Sequence, residues 1–188
     1  MSRVLIVCDT KKGSETYKGL FIKYGYSDID ISESCDDARR KTMGLSFDVV
    51  LINAPMRGES AEEAAIDIAS RNESQVIFMV KNEYLEETGS RLAKYGVITS
   101  GKPIQVVEFK GVIRYAEIAQ IRINMAKSEN SRLRKKLNDL KIVTRAKLLL
   151  VQYAKMTEDE AHHLIERRAM DERKSRAEVA RDIIEVYE

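Results

Sequence analysis

Through its first hundred residues the chain alternates short β-branched apolar runs with amphipathic stretches. This is the pattern of strands joined by crossover helices, and so of a parallel sheet. The apolar runs predict strands over Arg3–Cys8, Ile29–Glu33, Asp48–Asn53, Gln75–Val80 and Val97–Ser100, with helices starting near Lys12, Cys35, Glu59 and Asn82. Right-handed crossovers put helices on both faces, giving a flavodoxin-like, doubly wound α/β domain. In such a sheet the functional crevice lies at the carboxyl ends of the strands, where this chain has Asp9, Asn53, Val80 and Lys102.

After Pro103 no strand pattern and no proline recurs, and helix formers dominate. Ile123, Ala126, Asn130, Leu133, Leu137, Leu140 and Thr144 recur at alternating steps of three and four, the spacing of a coiled-coil seam. A polar Asn130 inside such a seam costs stability and helps fix register in a parallel pair. The same spacing also fits one surface helix packed on its own domain. Three helical pieces then follow over Arg132–Ala154, Glu158–Asp171 and Arg176–Tyr187, the last two opened by the capping-box patterns Thr157/Glu160 and Ser175/Glu178. Three apolar stripes could close one miniature core: Leu149, Leu150 and Tyr153; Ala161, Leu164 and Ile165; Ala180, Ile183, Ile184 and Tyr187.

Charge sharpens this division. The net charge is only +2, but residues 127–188 hold 15 basic and 12 acidic side chains against 17 and 18 in the remainder. Between Arg132 and Lys147 seven cations (Arg132, Arg134, Lys135, Lys136, Lys141, Arg145 and Lys147) face the single acid Asp139. Such a run is either a solvated helix face or a surface for phosphate. No apolar stretch approaches the length of a membrane span, and the amino terminus enters directly on a strand pattern without a signal-peptide pattern, so a soluble cytoplasmic protein is expected. Cys8 and Cys35 have neither the context of a disulfide framework nor a metal spacing, and are expected as buried, reduced thiols.

Several chemistries drop out. Gly13–Ser14–Glu15–Thr16–Tyr17–Lys18–Gly19 has the wrong order for a phosphate-binding loop. His162 and His163 are adjacent, hence about 100° apart on a helix, and cannot chelate one metal together. No paired carboxylates, nucleophile with base, or metal cluster stands out, so neither an enzyme nor a cofactor is expected.

Two resemblances rest on particular residues. Residues 1–115 resemble a two-component receiver domain, through Val7–Cys8–Asp9, the strand Asp48–Asn53 and the Lys102–Pro103 pair after the fifth strand. Residues 132–188 resemble the ANTAR family of RNA-binding antitermination domains, through Arg145–Ala146–Lys147, Met156–Thr157–Glu158–Asp159–Glu160–Ala161, Ala169–Met170 and Ala177–Glu178–Val179–Ala180. Residues 116–131 would then be a coiled-coil linker helix. The receiver resemblance implies two acids after the first strand and an aspartate after the third, which together bind Mg²⁺ and accept a phosphoryl group. This chain has Cys8, Asp9 and Asn53 there, and Val80 at the position where the family carries a hydroxyl. A carboxamide has no anionic oxygen to attack phosphorus, and too few carboxylates remain for a hard cation. A degenerate pocket of Cys8, Asp9, Asn53, Val80 and Lys102 is therefore expected, with Lys102 pairing Asp9 and no metal held. The domain would sense a regulatory protein or a small ligand instead of phosphorylation.

The ANTAR resemblance implies a homodimer, joined along Ile123, Ala126, Asn130, Leu133, Leu137 and Leu140, that binds paired hairpins in a nascent leader RNA and so prevents termination. On the Glu158–Asp171 helix Ala161, Leu164 and Ile165 point one way, while His163, Arg167, Met170 and Lys174 lie opposite. With Arg145, Lys147, Arg168, Arg173 and Arg176 these form the expected RNA-binding patch. Met170 also suits a dimer or interdomain contact, and Arg168 could only snorkel from the core stripe. A protein-interaction scaffold and a DNA-binding response regulator are the rival readings.

Overall fold

The computed structural model describes residues 3–71 and 74–187. Strands and helices alternate as β1 (Arg3–Val7), α1 (Lys11–Lys23), β2 (Asp28–Ser32), α2 (Cys35–Gly44), β3 (Val49–Asn53), α3 (Ala61–Arg71), β4 (Gln75–Lys81), α4 (Leu85–Ala93) and β5 (Ile98–Lys102). Helices α5 (Val106–Tyr153), α6 (Glu158–Asp171) and α7 (Arg176–Tyr187) complete the chain. It divides into two compact units, Met1–Met125 and Ala126–Glu188.

In the first unit the five strands are parallel, in the order β2-β1-β3-β4-β5. Alternate side chains of the central strands serve two cores. Leu5, Val7, Val50, Ile52, Val76 and Phe78 pack with Ala38, Ala64, Ile68 and Leu92 of α2, α3 and α4. Val4, Ile6, Val49, Leu51, Ile77 and Met79 pack instead with Tyr17 and Phe21 of α1 and Phe109 and Ile113 of α5. Burial on both faces is why these strands read as unbroken apolar runs.

Element boundaries differ from expectation where local composition is uninformative. Strand β5 begins at Ile98 and runs to Lys102 because Val80 pairs with Gly101 and Lys81 with Lys102. Its sequence, Ile-Thr-Ser-Gly-Lys, is polar and only partly buried, so β4 and not side-chain hydrophobicity defines its end. Helix α3 starts at Ala61, two residues beyond Glu59, where Ser60 Oγ accepts the Glu63 amide at 3.3 Å. A 3₁₀ turn over Asn82–Tyr84 precedes α4, whose regular turns begin only at Leu85.

In the second unit α6 opens with a complete capping box: the Thr157 side chain accepts from the Glu160 amide and Glu160 accepts from the Thr157 amide. Ser175 and Glu178 exchange the same pair of bonds at the start of α7. The core is Ala146 and Leu150 from α5, Ala161, Ile165 and Ala169 from α6, and Val179, Ala180 and Ile183 from α7. Tyr153 and Tyr187, expected inside it, are not. They are 56% and 37% exposed and stack on each other with centroids 5.9 Å apart and planes 18° apart. Small alanines let three helices approach closely, leaving no room for two phenol rings, whose hydroxyls also favour water.

Candidate nucleic-acid interface and the strand-end pocket

The carboxyl ends of β1, β3 and β5 converge on Asn53. Its Oδ1 accepts from Lys102 Nζ at 2.6 Å and from the Tyr17 hydroxyl at 3.2 Å, while its Nδ2 donates to Cys8 Sγ at 3.2 Å. Lys102 also donates to the Ala54 carbonyl. Burial lowers the Lys102 pKa from its ordinary value, with Cys8 and Asp9 acting in the opposite direction. Gly13 allows α1 this close approach, for a Cβ there would stand 2.5 Å from Cys8 Sγ and 2.7 Å from Thr10 Oγ1.

The expected Lys102–Asp9 pair is absent. Asp9 Oδ2 instead accepts the Arg57 amide at 3.2 Å and lies 3.7 Å from Arg57 Nε. The carboxamide oxygen and the Ala54 carbonyl draw the ammonium toward β3. Tyr17 was not foreseen at all, because nothing in the sequence places α1 over the end of β3. The donor set does not fit Mg²⁺, which requires a shell of hard oxygens. Among the described residues no cluster of His, Cys, Asp and Glu could hold a metal ion. Val80 is 8% exposed and lines, with Met56, Phe78, Glu62, Tyr84 and Arg91, a cleft of about 700 Å³ between α3 and α4.

Buried weak acids of this unit are weakened by folding, Tyr26 among them through burial and its hydrogen bond to Glu117. Burial and nearby Cys8 push the Tyr17 phenol up to about 12, and burial and Glu59 push the Cys35 thiol up to about 12. The unfolded chain loses these protons first, so their contribution is fully present below the unfolded values near 9 and 10 and is lost as pH rises toward 12. Urea unfolding across that range is expected to show a progressive loss of stability. Tyr17→Phe should reduce the loss above pH 10 without abolishing it, because Tyr26 contributes there in the same direction. An unchanged profile would mean that the phenol ionises as easily folded as unfolded.

In the second unit, the expected RNA-binding cations separate into two groups. Lys147 is 19% exposed and pairs with Glu158 at 2.7 Å; Arg168 pairs with Glu172 at 2.9 Å, and Arg176 with Glu166 at 3.1 Å. Lys174 is not on α6 but in the turn beyond it, held by Asp182 at 2.7 Å and Glu172 at 3.0 Å. Helix α6 ends at Asp171, so the helical face drawn through Lys174 stops short of it. His163 stands 3.9 Å from Glu166 and is 72% exposed. Arg145 is exposed.

Arg167 and Arg173 are exposed and carry no ion pair among the described residues. Arg173 occupies the left-handed region with φ 53°, which turns the chain out of α6. Met170, 75% exposed, lies between them in sequence at the end of the helix. Two further features were not singled out as sites from sequence. One is a groove of about 530 Å³ lined by Lys136, Leu140, Lys147, His162 and Arg176. The other is the exposed Tyr153–Tyr187 stack.

Residues 131–184 match the ANTAR domain family. Among solved structures, this chain is similar to a response regulator protein of Thermotoga maritima in complex with Mg²⁺ and BeF, with TM-score 0.54 and 24% identity, covering 62% of this chain and 99% of that one. It is also similar to a CheY-like response regulator receiver domain protein of Methanospirillum hungatei, with TM-score 0.58 and 18% identity over 65% and 98%. An adenylate cyclase of Rhodopirellula baltica gives TM-score 0.60 and 18% identity over 71% and 98%. At such identities the likeness establishes the fold alone, that of a CheY-like receiver. No curated protein matches the chain.

Proposed function

We propose that this chain, in which a receiver-fold domain precedes an ANTAR domain at residues 131–184, is an RNA-binding transcription antitermination regulator and not an enzyme. It binds paired hairpins of a nascent leader transcript as a homodimer and works in the cytoplasm. The observation that carries this reading is Met170, 75% exposed at the end of α6, with exposed Arg167 and Arg173, which have no ion pair among the described residues, three residues to either side. An apolar side chain among cations suits loop bases that splay out of a hairpin, while the guanidinium groups meet phosphates or stack on bases. No helix of the described residues is long and apolar enough to cross a membrane.

The receiver-fold domain supplies the input without phosphoryl chemistry. Asn53 is occupied by Lys102, Tyr17 and Cys8, so the pocket already satisfies its own polar groups. The cleft beside Val80, with an apolar floor and a rim of Glu62 and Arg91, offers a place for a small ligand or a segment of a regulatory protein. Such a signal acts by favouring one of two states of the chain.

Titration of a two-hairpin RNA, with acetyl phosphate and Mg²⁺ present or absent, tests both halves. The expected result is salt-dependent binding that Met170→Ala weakens by about tenfold, the scale of one lost base contact, and that the phosphodonor leaves unchanged. Intact-mass measurement should show no phosphorylated species. Failure to bind hairpin RNA would favour a protein-interaction scaffold, and preferential duplex DNA binding a DNA-binding regulator. A phosphodonor effect would overturn the account of Asn53.

A further inference from the structure

The carboxy-terminal part of α5 has two unlike faces. Ala146 and Leu150 are buried against α6 and α7, whereas Leu133, Leu137 and Leu140 are 53%, 55% and 65% exposed. Leu137 and Ala146 project about 180° apart at the helical pitch, so Leu137 points away from the unit's own core. Leu133 lies on the same side, and Leu140 stands at the edge of that face, bordering the groove toward α6 and α7. Beyond Leu140 the three-four spacing passes through the polar Thr144 and through Lys147, which is paired with Glu158, so the apolar seam of this unit ends at Leu140.

A second copy of this chain fits that face best. Paired in parallel and in register, Leu133, Leu137 and Leu140 meet their equivalents, and Asn130 meets Asn130, a contact that selects two parallel strands. Residues flanking such a seam meet across it at an offset of five. Glu129 then meets the second copy's Arg134, an attractive contact, and Val143 meets its Leu148, an apolar one. Lys136, however, meets Lys141, and symmetry repeats that repulsion. The surroundings do not relieve it. Of the seven cations from Arg132 to Lys147, Arg132 is held by Glu129 and Lys147 by Glu158, each at 2.7 Å. Arg134, Lys135, Lys136 and Lys141 have no ion pair among the described residues, and Asp139, the acid within the run, is itself engaged by Arg181 at 3.5 Å. Paired helices stand about 8–10 Å apart, comparable to the screening length of about 8 Å at physiological salt and well inside the length of about 30 Å at 0.01 M, so this charge is felt across the seam most strongly at low salt.

We propose that pairing of two copies along Leu133, Leu137 and Leu140 is opposed by the charge of α5 itself and is completed by a polyanion, the phosphate backbone of RNA, lying along Arg134, Lys136 and Lys141. The proposal rests on the reading of this chain as a dimeric RNA-binding protein and adds how its assembly is controlled. RNA binding and dimerisation are then linked reciprocally: each strengthens the other by the same factor. Without RNA, added salt strengthens the dimer by screening Lys136 from Lys141. With RNA, added salt weakens the complex by competing for phosphate.

Sedimentation equilibrium of the 188-residue chain at low and high salt, with and without the two-hairpin RNA, reads these opposite dependences. The RNA-free wild type is expected to be monomeric at low salt and to dimerise as salt rises. Lys136→Glu converts the repulsive contact into an attractive one on both sides of the dimer. It should tighten RNA-free dimerisation at low salt by about tenfold, the effect of two exposed pairs reversing sign. Leu137→Asp should abolish the dimer under every condition; both positions are exposed, so circular dichroism should show an unchanged fold. A dimer whose RNA-free affinity is indifferent to salt or to Lys136→Glu overturns the proposal, as does RNA bound by a chain that stays monomeric. If RNA fails to bind while salt and Lys136→Glu still drive pairing, the self-repulsion stands and the RNA reading fails.

Discussion

Replacing Arg167 and Arg173 together by glutamate is expected to lower affinity for hairpin RNA on the order of a hundredfold at moderate salt, because two phosphate-seeking cations become repulsive. Both side chains are exposed and neither has an ion pair among the described residues, so their replacement leaves the three-helix core of Ala146, Ile165 and Ala180 intact. Fluorescence anisotropy at several salt concentrations checks the loss, and the slope of log affinity against log salt should become shallower. Thermal unfolding should superimpose on the wild type. Unchanged affinity would move the RNA surface away from the end of α6, toward the groove between Lys136 and Arg176. The contrast with Lys147→Ala is instructive. Lys147 is mostly covered and bonded to Glu158, so its removal should also loosen the start of α6.

A large loss of stability is expected from truncating Phe109. Its ring is fully buried and meets Phe21 edge-on at 5.3 Å and 79°, with Tyr17 at 6.0 Å. Phe109→Ala is expected to destabilise the first unit by about 3–5 kcal/mol, the cost of lost burial plus the cavity left in a packed core. Hydrogen exchange is the appropriate measurement for a two-unit chain, since it reports each unit separately. Amides of β1 and β4 should lose protection while those of α6 and α7 keep theirs. A small effect would mean that Phe21 and Ile113 collapse into the vacated space.

How far the sequence exposes these features depends on the range of the forces involved. Strands β1, β3 and β4 are legible because burial on both faces leaves apolar runs such as Val4–Val7 and Val76–Val80 with no alternative reading. The starts of α6 and α7 are legible because a capping box is completed within four residues. Strand β5 is not, because its end is defined by pairing with β4 and its residues are polar. The strand-end residues Cys8, Asp9, Asn53, Val80 and Lys102 can be named from sequence, but their bonding cannot. Whether Lys102 turns to Asp9 or Asn53 depends on a few ångströms of strand stagger, and Tyr17 arrives from another element altogether. The same limit affects the cations of the second unit. Arg167 and Arg176 look alike along the chain, and only folding brings Glu166 to within 3.1 Å of Arg176.

Those internal pairs change the cost of meeting RNA. A bare lysine in solution is surrounded by mobile anions, and a phosphate that binds it liberates them, which strengthens attachment to any nucleic acid regardless of sequence. Lys147, Arg168, Lys174 and Arg176 instead carry Glu158, Glu172, Asp182 and Glu166 as tethered counterions that cannot diffuse away. A transcript that merely brushes this surface gains little from displacing them. On the proposed function, one that seats its loops over Met170, Arg167 and Arg173 would gain from shape and stacking. The carboxylates of this small domain would then act as a background filter, lowering affinity for bulk RNA more than affinity for the paired hairpins.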